Sequence, residues 1–491
     1  MKNILLIIIL FTSFTSNSQI AAIGYYSEQN VSTTVTLSGR ITSDVKLYAK
    51  DINFLSGIVY IANGATLTIE AGAKIQGRTS GAYNSTLVIC RGAKIIASGT
   101  AEKPIVFTSS STTPYAGDWG GIVICGTAPT NTAATVNGTS ILGLYETEGG
   151  ISNSTNLDGY AGSGDPAFPN SNATDNSGVL QYVRIEYAGY AYRPDNEINS
   201  LTLAAVGSGT IIDHVQSIYG KDDAFQFFGG TVNCKYLVSY NTQDDDFDFG
   251  FGYTGKIQFA IAKRSNIIAD ISNSYGIEST NNFSIYGTQT PQTKPILSNF
   301  TIIGPRQNSS STYSSLYNAG IFLRINTALS LFNSIVLGWK IGVLIDARTG
   351  TPTDNNITDN SLRIKNVTIG SNIEDVKYTP STSLPTGASD ASMLSWFSTS
   401  NSLNTIVTNA SDASLSSPYA TTPDFKPTQT VYNSGGFNGS LGTINDFNFN
   451  SNASFSDTYL QDAFFTNVGF RGAVGLTGSD SNWWVGWTVW N

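Results

Sequence analysis

"TLTIEAGAKIQG" at residues 66–77 is followed by "TLVICRGAKIIA" at residues 86–97, and the two align without a gap. Leu67 falls on Leu87, Ile69 on Ile89, Gly72 on Gly92, Lys74 on Lys94 and Ile75 on Ile95, an offset of 20 residues. Each copy is a short alternating strand, a glycine turn and a second short strand. Such a unit has an apolar side that it cannot bury alone, so another copy must stack on it. One turn of a solenoid is then expected to take about 20 residues. "KPIVFTS" at 103–109 reads as a third side, and "WGGIVICG" at 119–126 opens the next turn.

A longer pair extends the series. "IDHVQSIYGKDDAFQFFGG" from Ile212 aligns with "CKYLVSYNTQDDDFDFGFG" from Cys234, an offset of 22, with Asp223 on Asp245, Phe225 on Phe247 and Phe227 on Phe249. Looser copies flank it, and apolar strands continue through "NFTIIG", "AGIFLR", "LSLFNSIVLG" and "IGVLID". Short strands, this period, three sides and glycine corners specify an all-β chain: a single right-handed parallel β-helix, a three-sided solenoid with rungs of about 20–22 residues. The Leu/Asn consensus of leucine-rich repeats and the 40-residue signature of propeller blades are both missing.

The solenoid is expected over residues 35–373, with 147–178, rich in Gly, Pro and Asn, as a long loop projecting from a corner. Residues 374–491 read as a loop-rich region with a short helix near "DASMLSWF" and an aromatic cap. Trp483, Trp484, Trp487 and Trp490 are expected to close the open end of the solenoid, with a sugar-stacking platform as the alternative.

The chain of 491 residues has 35 acidic and 26 basic side chains, a formal charge of -9, and no Lys/Arg-rich run, which excludes nucleic acid as a partner. The first 18 residues, with Lys2 before the apolar run Ile4–Phe11, read as a signal peptide, and 19–34 as a lead-in. The run is too short to span a membrane, so export to the periplasm, the outer membrane or the exterior is expected, with no transmembrane span in the mature chain. No cysteine lies near the cut to carry a lipid. Cys90, Cys125 and Cys234, with the single His214, are too few and too scattered for a zinc site. Cys90 and Cys125 follow "LVI" and "IVI" in what should be neighbouring rungs; a disulfide between them and two free thiols both remain open.

The acids fall in two sets. Asp222, Asp223, Asp244 and Asp245 sit at the corner before the phenylalanine strands, while Asp246, Asp248 and Glu278 are expected to point outward if the phenylalanines point inward. Stacked carboxylates about 4.8 Å apart repel by about 1 kcal/mol in water and about 3–4 kcal/mol at an effective dielectric of 20. Turn amides, a calcium ion or shared protons would compensate them. The reading placed first is an internal polar ladder in which Asp223 and Asp245 accept turn amides; calcium comes second and catalysis third. Pectin-degrading hydrolases pair aspartates on this scaffold, and "KDD" at 221–223 and "RIK" at 363–365 echo their motifs, but no Gly-His-Gly exists here. A lyase would need calcium and a base, for which Lys221, Lys256 or Arg184 are candidates. His214, aligned with Tyr236, reads as a strand residue beside the ladder.

The runs "WGGIVICGTAPTN", "VRIEYAG", "DDDFDFGFGYTGKIQFAIA" and "FRGAVG…NWWVGWT" give the chain, from about residue 35 on, a resemblance to an exported β-helix family of Bacteroidota that is similar to leptospiral outer-membrane lipoproteins. Its members are often mislabelled multidrug transporters and tend to be encoded beside TonB-dependent receptors. The resemblance implies an outer-membrane receptor as partner, while the long rigid surface of a solenoid suits an extended ligand such as a polysaccharide. This chain departs from the lipoprotein members in lacking the lipid-bearing cysteine. The expected function is non-enzymatic presentation of a ligand-binding surface, for carbohydrate or a metal-linked nutrient. The rival is a calcium-dependent polysaccharide lyase or glycoside hydrolase.

Overall fold

The computed structural model describes residues 32–79, 84–193, 196–283, 287–428 and 455–490. The expected signal peptide and nearly all of the expected lead-in lie outside them. The chain winds as a parallel β-helix, its strands pairing with those one turn earlier and later. Face A runs from Val45–Leu47 through Thr66–Ile69 and Lys94–Ser98 to Arg363–Lys365. Face B follows each face-A strand and ends at Thr405–Val407; face C carries Phe225–Phe228, Phe247–Gly250 and Ile277–Thr280 and ends at Glu374–Thr379. The ladder therefore continues past residue 373, with Glu374–Thr379 pairing along Ile341–Asp346 and Thr405–Val407 along Thr368–Gly370.

The two sequence repeats mean different things in space. Val215 pairs with Leu237, Ser217 with Ser239, Phe225 with Phe247 and Phe227 with Phe249, so the 22-residue offset is one full turn. The 20-residue offset is not. Thr66 pairs with Lys94, and Thr86 pairs with Ile58, so a turn there takes 28 residues. The "strand, Gly, Ala-Lys-Ile" unit covers two of the three faces, and the two copies lie one face out of step.

Alternate residues fill the interior with Leu, Ile, Val and Phe, in one cluster from Leu37 to Phe397. Phe225 stacks on Phe247 at 5.4 Å and Phe227 on Phe249 at 5.0 Å between ring centroids. Such pairs add about 0.5–1.5 kcal/mol each beyond their burial.

Faces A and B meet at a single residue in the left-handed region: Tyr182 (φ 50°), His214 (54°), Tyr236 (61°), Phe259 (65°), then Asn299 (61°), Asn333 (50°) and Asn366 (59°). Asparagine takes this conformation readily because its amide bonds locally. The aromatic residues are held there by stacking: His214 lies 4.3 Å from both Tyr182 and Tyr236, and Tyr236 lies 5.1 Å from Phe259.

The tryptophans pack elsewhere than expected. Trp487 meets Tyr182 and His214 edge-on, Trp483 lies against Tyr236, and Trp484 and Trp487 are buried with Val238, Ile261, Ile303 and Leu337. The C-terminal segment is thus a strap along the side of the solenoid, fastened by Gln216 to Val489 and by Gln258 to Thr466. It covers apolar side chains on the outside of face B, which needed covering more than the end did. Burial of Trp484 and Trp487 also removes the sugar-platform reading for those two rings. The far end is closed instead by the helix Asp390–Phe397, whose Met393 and Phe397 enter the core. Ser389 and Ser392 cap its start reciprocally.

The 147–178 segment folds back instead of projecting. It belongs to a longer excursion between Gly121–Cys125 and Gly178–Glu186, in which Tyr160–Gly162 pairs antiparallel with Leu144–Glu146. Asp158 meets Arg40 at 2.8 Å, and buried Asp165 pairs with buried Arg91, pinning the excursion over the outside of face C. Beneath it Cys90 and Cys125 are buried free thiols, Cys90 Sγ donating to Asp158 Oδ1 at 3.3 Å. The disulfide weighed for them is not formed, in keeping with the poor bond geometry of directly stacked parallel residues.

Candidate functional site: the acidic corner

Between faces B and C the chain leaves strands Ile211–Ile218 and Asn233–Tyr240 and enters Phe225–Phe228 and Phe247–Gly250 through "KDDA" and "DDD". The two acids of each pair take opposite parts. Asp223 Oδ1 accepts from the Asp245 amide at 2.8 Å, Asp245 Oδ1 accepts from the Tyr275 amide at 2.7 Å, and Asn199 Oδ1 accepts from the Asp223 amide at 3.2 Å. The second acid of each pair is therefore a rung-to-rung clip satisfying a turn amide that would otherwise be buried unpaired.

Asp222 and Asp244 are only partly buried and line a cleft of about 280 Å³. Asp223, Asp248 and Asp270 join them there, with Glu148 from the face-C excursion and Glu197 from the strand Asn196–Glu197. Among the described residues, the one basic side chain lining it is Lys221, 3.4 Å from Glu197. Ser272 Oγ donates to Asp244 at 3.1 Å and to Asp270 at 2.7 Å, tying two walls together. On the floor Asp248 stands in register between Gln226 and Glu278. The Gln226 side chain, a residue only 2% exposed, faces the Asp248 carboxylate across that register and favours its charged form.

Burial, and then repulsion from their neighbours, pushes the carboxyls of Asp222, Asp223, Asp244 and Asp245 well above the usual range. Asp248 is pushed up to about 8, by burial first and by Glu278 next. Like charges gathered at this density demand protons or a cation.

Asp246 is a correction. Expected to point outward with Asp248, it is fully buried, because the corner extends past it and alternation begins only at Phe247. It pairs at 2.9 Å with Arg264, also fully buried, and accepts from Ser239 at 2.5 Å. Arg264 in turn donates to the carbonyls of Thr242 at 2.6 Å and Tyr275 at 2.8 Å, and to that of Asp244. One guanidinium thus gathers the backbone that carries the cleft acids. Glu278 lies beside the cleft and is paired with Arg324 at 3.0 Å. Of the bases considered for a lyase, Lys256 is engaged with Asp462 and Arg184 with Glu186, away from the acids; Lys221 alone is at the cleft. His214 sits in the aromatic corner.

Glu148, Glu197, Asp270 and Arg264 were not singled out in the sequence. Glu148 and Asp270 come from insertions that break the rung period; Arg264 had a usable signal, a cation directly after the strand Lys256–Lys263 in the turn that follows the triple aspartate.

Carboxylate oxygens of Asp222, Asp223 and Asp244 lie within 4.8 Å of one another. An ion about 2.3–2.6 Å from each fits that spacing, and an oxygen-only set suits calcium over zinc or copper. The chain matches the pectate-lyase-like β-helix domain over residues 39–415 and belongs to that family. No curated protein and no solved structure matches it. Among the described residues no helix is long and apolar enough to cross a membrane.

Proposed function

We propose that the protein is an exported β-helix binding protein whose acidic corner holds a calcium ion and presents it to an anionic carbohydrate. The observation that carries this reading is the cleft itself: seven carboxylates line it against one lysine, three of them with oxygens mutually within 4.8 Å. Held by Asp222, Asp223 and Asp244, the ion would offset their repulsion and leave coordination positions for sugar oxygens. The apolar leader at the N-terminus supports export, and the resemblance to envelope proteins encoded near TonB-dependent receptors supports a role as accessory to such a receptor. Ligand presentation is favoured over catalysis because Lys221 is occupied by Glu197.

The second reading is a calcium-dependent lyase, favoured by the position of Lys221 at the cleft wall. There Lys221, released from Glu197, would remove the proton beside a uronate carboxylate.

Calorimetry with Ca2+ on the wild type and on Asp222→Asn/Asp244→Asn tests the site. Binding lost in the variant supports it; binding that survives, or no binding at all, sinks it. Asp223 and Asp245 are the wrong pair to change first, since both clip turn amides. Incubation of the calcium-loaded protein with polygalacturonate separates the two readings: new absorbance from an unsaturated sugar end means a lyase, and retention without cleavage means a binding protein.

A further inference from the structure

Beyond Thr405–Val407, the last strand of face B, the chain makes a short 3-10 turn at Ala410–Ala413 and then a two-stranded antiparallel ribbon, Leu415–Ser417 with Asp424–Pro427. Among the described residues the ribbon joins no other sheet. It is nevertheless fixed to the solenoid. Leu415 and Phe425 are buried with Ile303, Val407 and Trp484, Phe425 meets Trp484 edge-on at 5.3 Å between ring centroids, and Lys263 Nζ donates to the Ala420 carbonyl at 2.8 Å.

The two strands of the ribbon treat their outer edges differently. Asp424–Pro427 carries Asp424, Lys426 and Pro427, and charge and proline keep a strand edge from pairing with a further chain. Leu415–Ser417 carries neither. Its pairing runs from Leu415 with Pro427 to Ser417 with Asp424 and passes over Ser416, which a register shift leaves without an opposite residue. All three of its residues line a groove of about 590 Å³, and no residue of Asp424–Pro427 does, so the bare edge is the one that faces the groove.

The rest of the wall supplies amides and hydroxyls. Gln307 and Asn308, just past the strand Ile296–Ile303, are exposed there, as is Ser411, and Tyr419 is held in place by its hydroxyl, which donates to the Arg306 carbonyl at 3.4 Å. In a chain of net charge -9, no charged side chain among the described residues lines this groove. A charged ligand would meet no counter-charge in it. A bare strand edge beside neutral amides and hydroxyls has the chemistry that receives an extended polypeptide: main chain pairs with the edge, and neutral side chains pair with the wall.

We infer that this groove docks an extended, uncharged segment of a partner protein, which adds a third strand beside Leu415–Ser417. A strand of three residues offers few main-chain bonds, so Gln307 and Asn308 supply the side-chain half of the recognition. No ion takes part, and the site stands or falls apart from the calcium reading.

The test pans the full chain, in EDTA, against a displayed library of random seven-residue peptides and measures the best binder by calorimetry. Uncharged sequences are expected to be enriched. The best of them, N-methylated at alternate residues on the pairing side, should bind about ten-fold more weakly through lost main-chain hydrogen bonds. Ser416→Pro is expected to weaken the unmodified peptide by about ten-fold and Gln307→Ala by a few-fold. Ser416→Pro also risks disturbing the ribbon, which the fluorescence of Trp484 against Phe425 would report; Gln307 lies outside the ribbon and then decides the matter. Enrichment of charged sequences, equal binding of the N-methylated peptide, or affinity unmoved in both variants would overturn the proposal. So would maltohexaose binding that Gln307→Ala abolishes, which would make the groove a sugar site, or a dimer in sedimentation that the peptide dissociates, which would assign the edge to a second copy.

Discussion

Two corners of the same solenoid handle stacking in opposite ways. At the corner between faces A and B, turn after turn places Tyr182, His214, Tyr236 and Phe259 above one another, and the strap with Trp483 and Trp487 seals them. At the corner between faces B and C the stacked residues are Asp222 with Asp244 and Asp223 with Asp245, and the cleft beside them is open. A β-helix repeats whatever side chain stands at a corner about every 4.8 Å. Repeated rings attract and can be buried; repeated carboxylates repel and must find compensation. Half of that compensation is internal, in the amides bonded to Asp223 and Asp245. The other half, facing Asp222 and Asp244, would come from the calcium ion we propose, and a corner that costs stability in this way is where function is expected.

The comparison breaks most readily at Arg264. Removing it leaves Asp246 in the core with Ser239 as its remaining side-chain partner and frees three carbonyls, so Arg264→Ala is expected to lose about 3–5 kcal/mol in urea denaturation. A loss under about 1 kcal/mol would mean that the ion pair does not organise the acidic corner.

At the aromatic corner Trp487→Ala should lose about 3 kcal/mol and free the strap to proteolysis before the solenoid unfolds. Simultaneous digestion of strap and solenoid would show that the strap is not a separate layer. Calcium at about one hundred times its dissociation constant should add about 2.7 kcal/mol to the wild type and nothing to Asp222→Asn/Asp244→Asn.

The smallest effect sharpens the contrast within a pair. Without calcium, Asp222→Asn is expected to stabilise by about 1 kcal/mol by relieving repulsion, whereas Asp223→Asn should not stabilise, because its carboxylate accepts the Asp245 amide. Equal melting temperatures for the two variants would erase the distinction between outer and inner acids.

The fold was largely legible because apolar alternation and glycine corners are local signals. The second repeat gave its register directly: Asp223 over Asp245 and Phe225 over Phe247 are true neighbours. The first misled because any two adjacent faces share the pattern of strand, turn and strand, so the alignment of Thr66 with Thr86 skipped a face. At the site, Asp222, Asp223, Asp244, Asp245 and Asp248 were visible as a block. Asp246 was misassigned because alternation does not extend into a turn. Glu148 and Asp270 arrive on insertions whose return path no period encodes, and the strap binds by shape to rungs some 270 residues earlier, as Val489 does to Gln216.

The central claim, that the acidic corner is poised for a cation, is tested most directly by thermal unfolding across pH with EDTA and with calcium. Asp248 is raised to about 8 in the folded protein against about 3.9 unfolded, so the fold holds its proton more tightly between these values. Stability in EDTA should therefore fall as pH rises from about 4 to about 8, and calcium should flatten that fall toward its upper end. A melting temperature in EDTA that holds level or rises across this window, or one that falls identically with calcium present, would contradict the account.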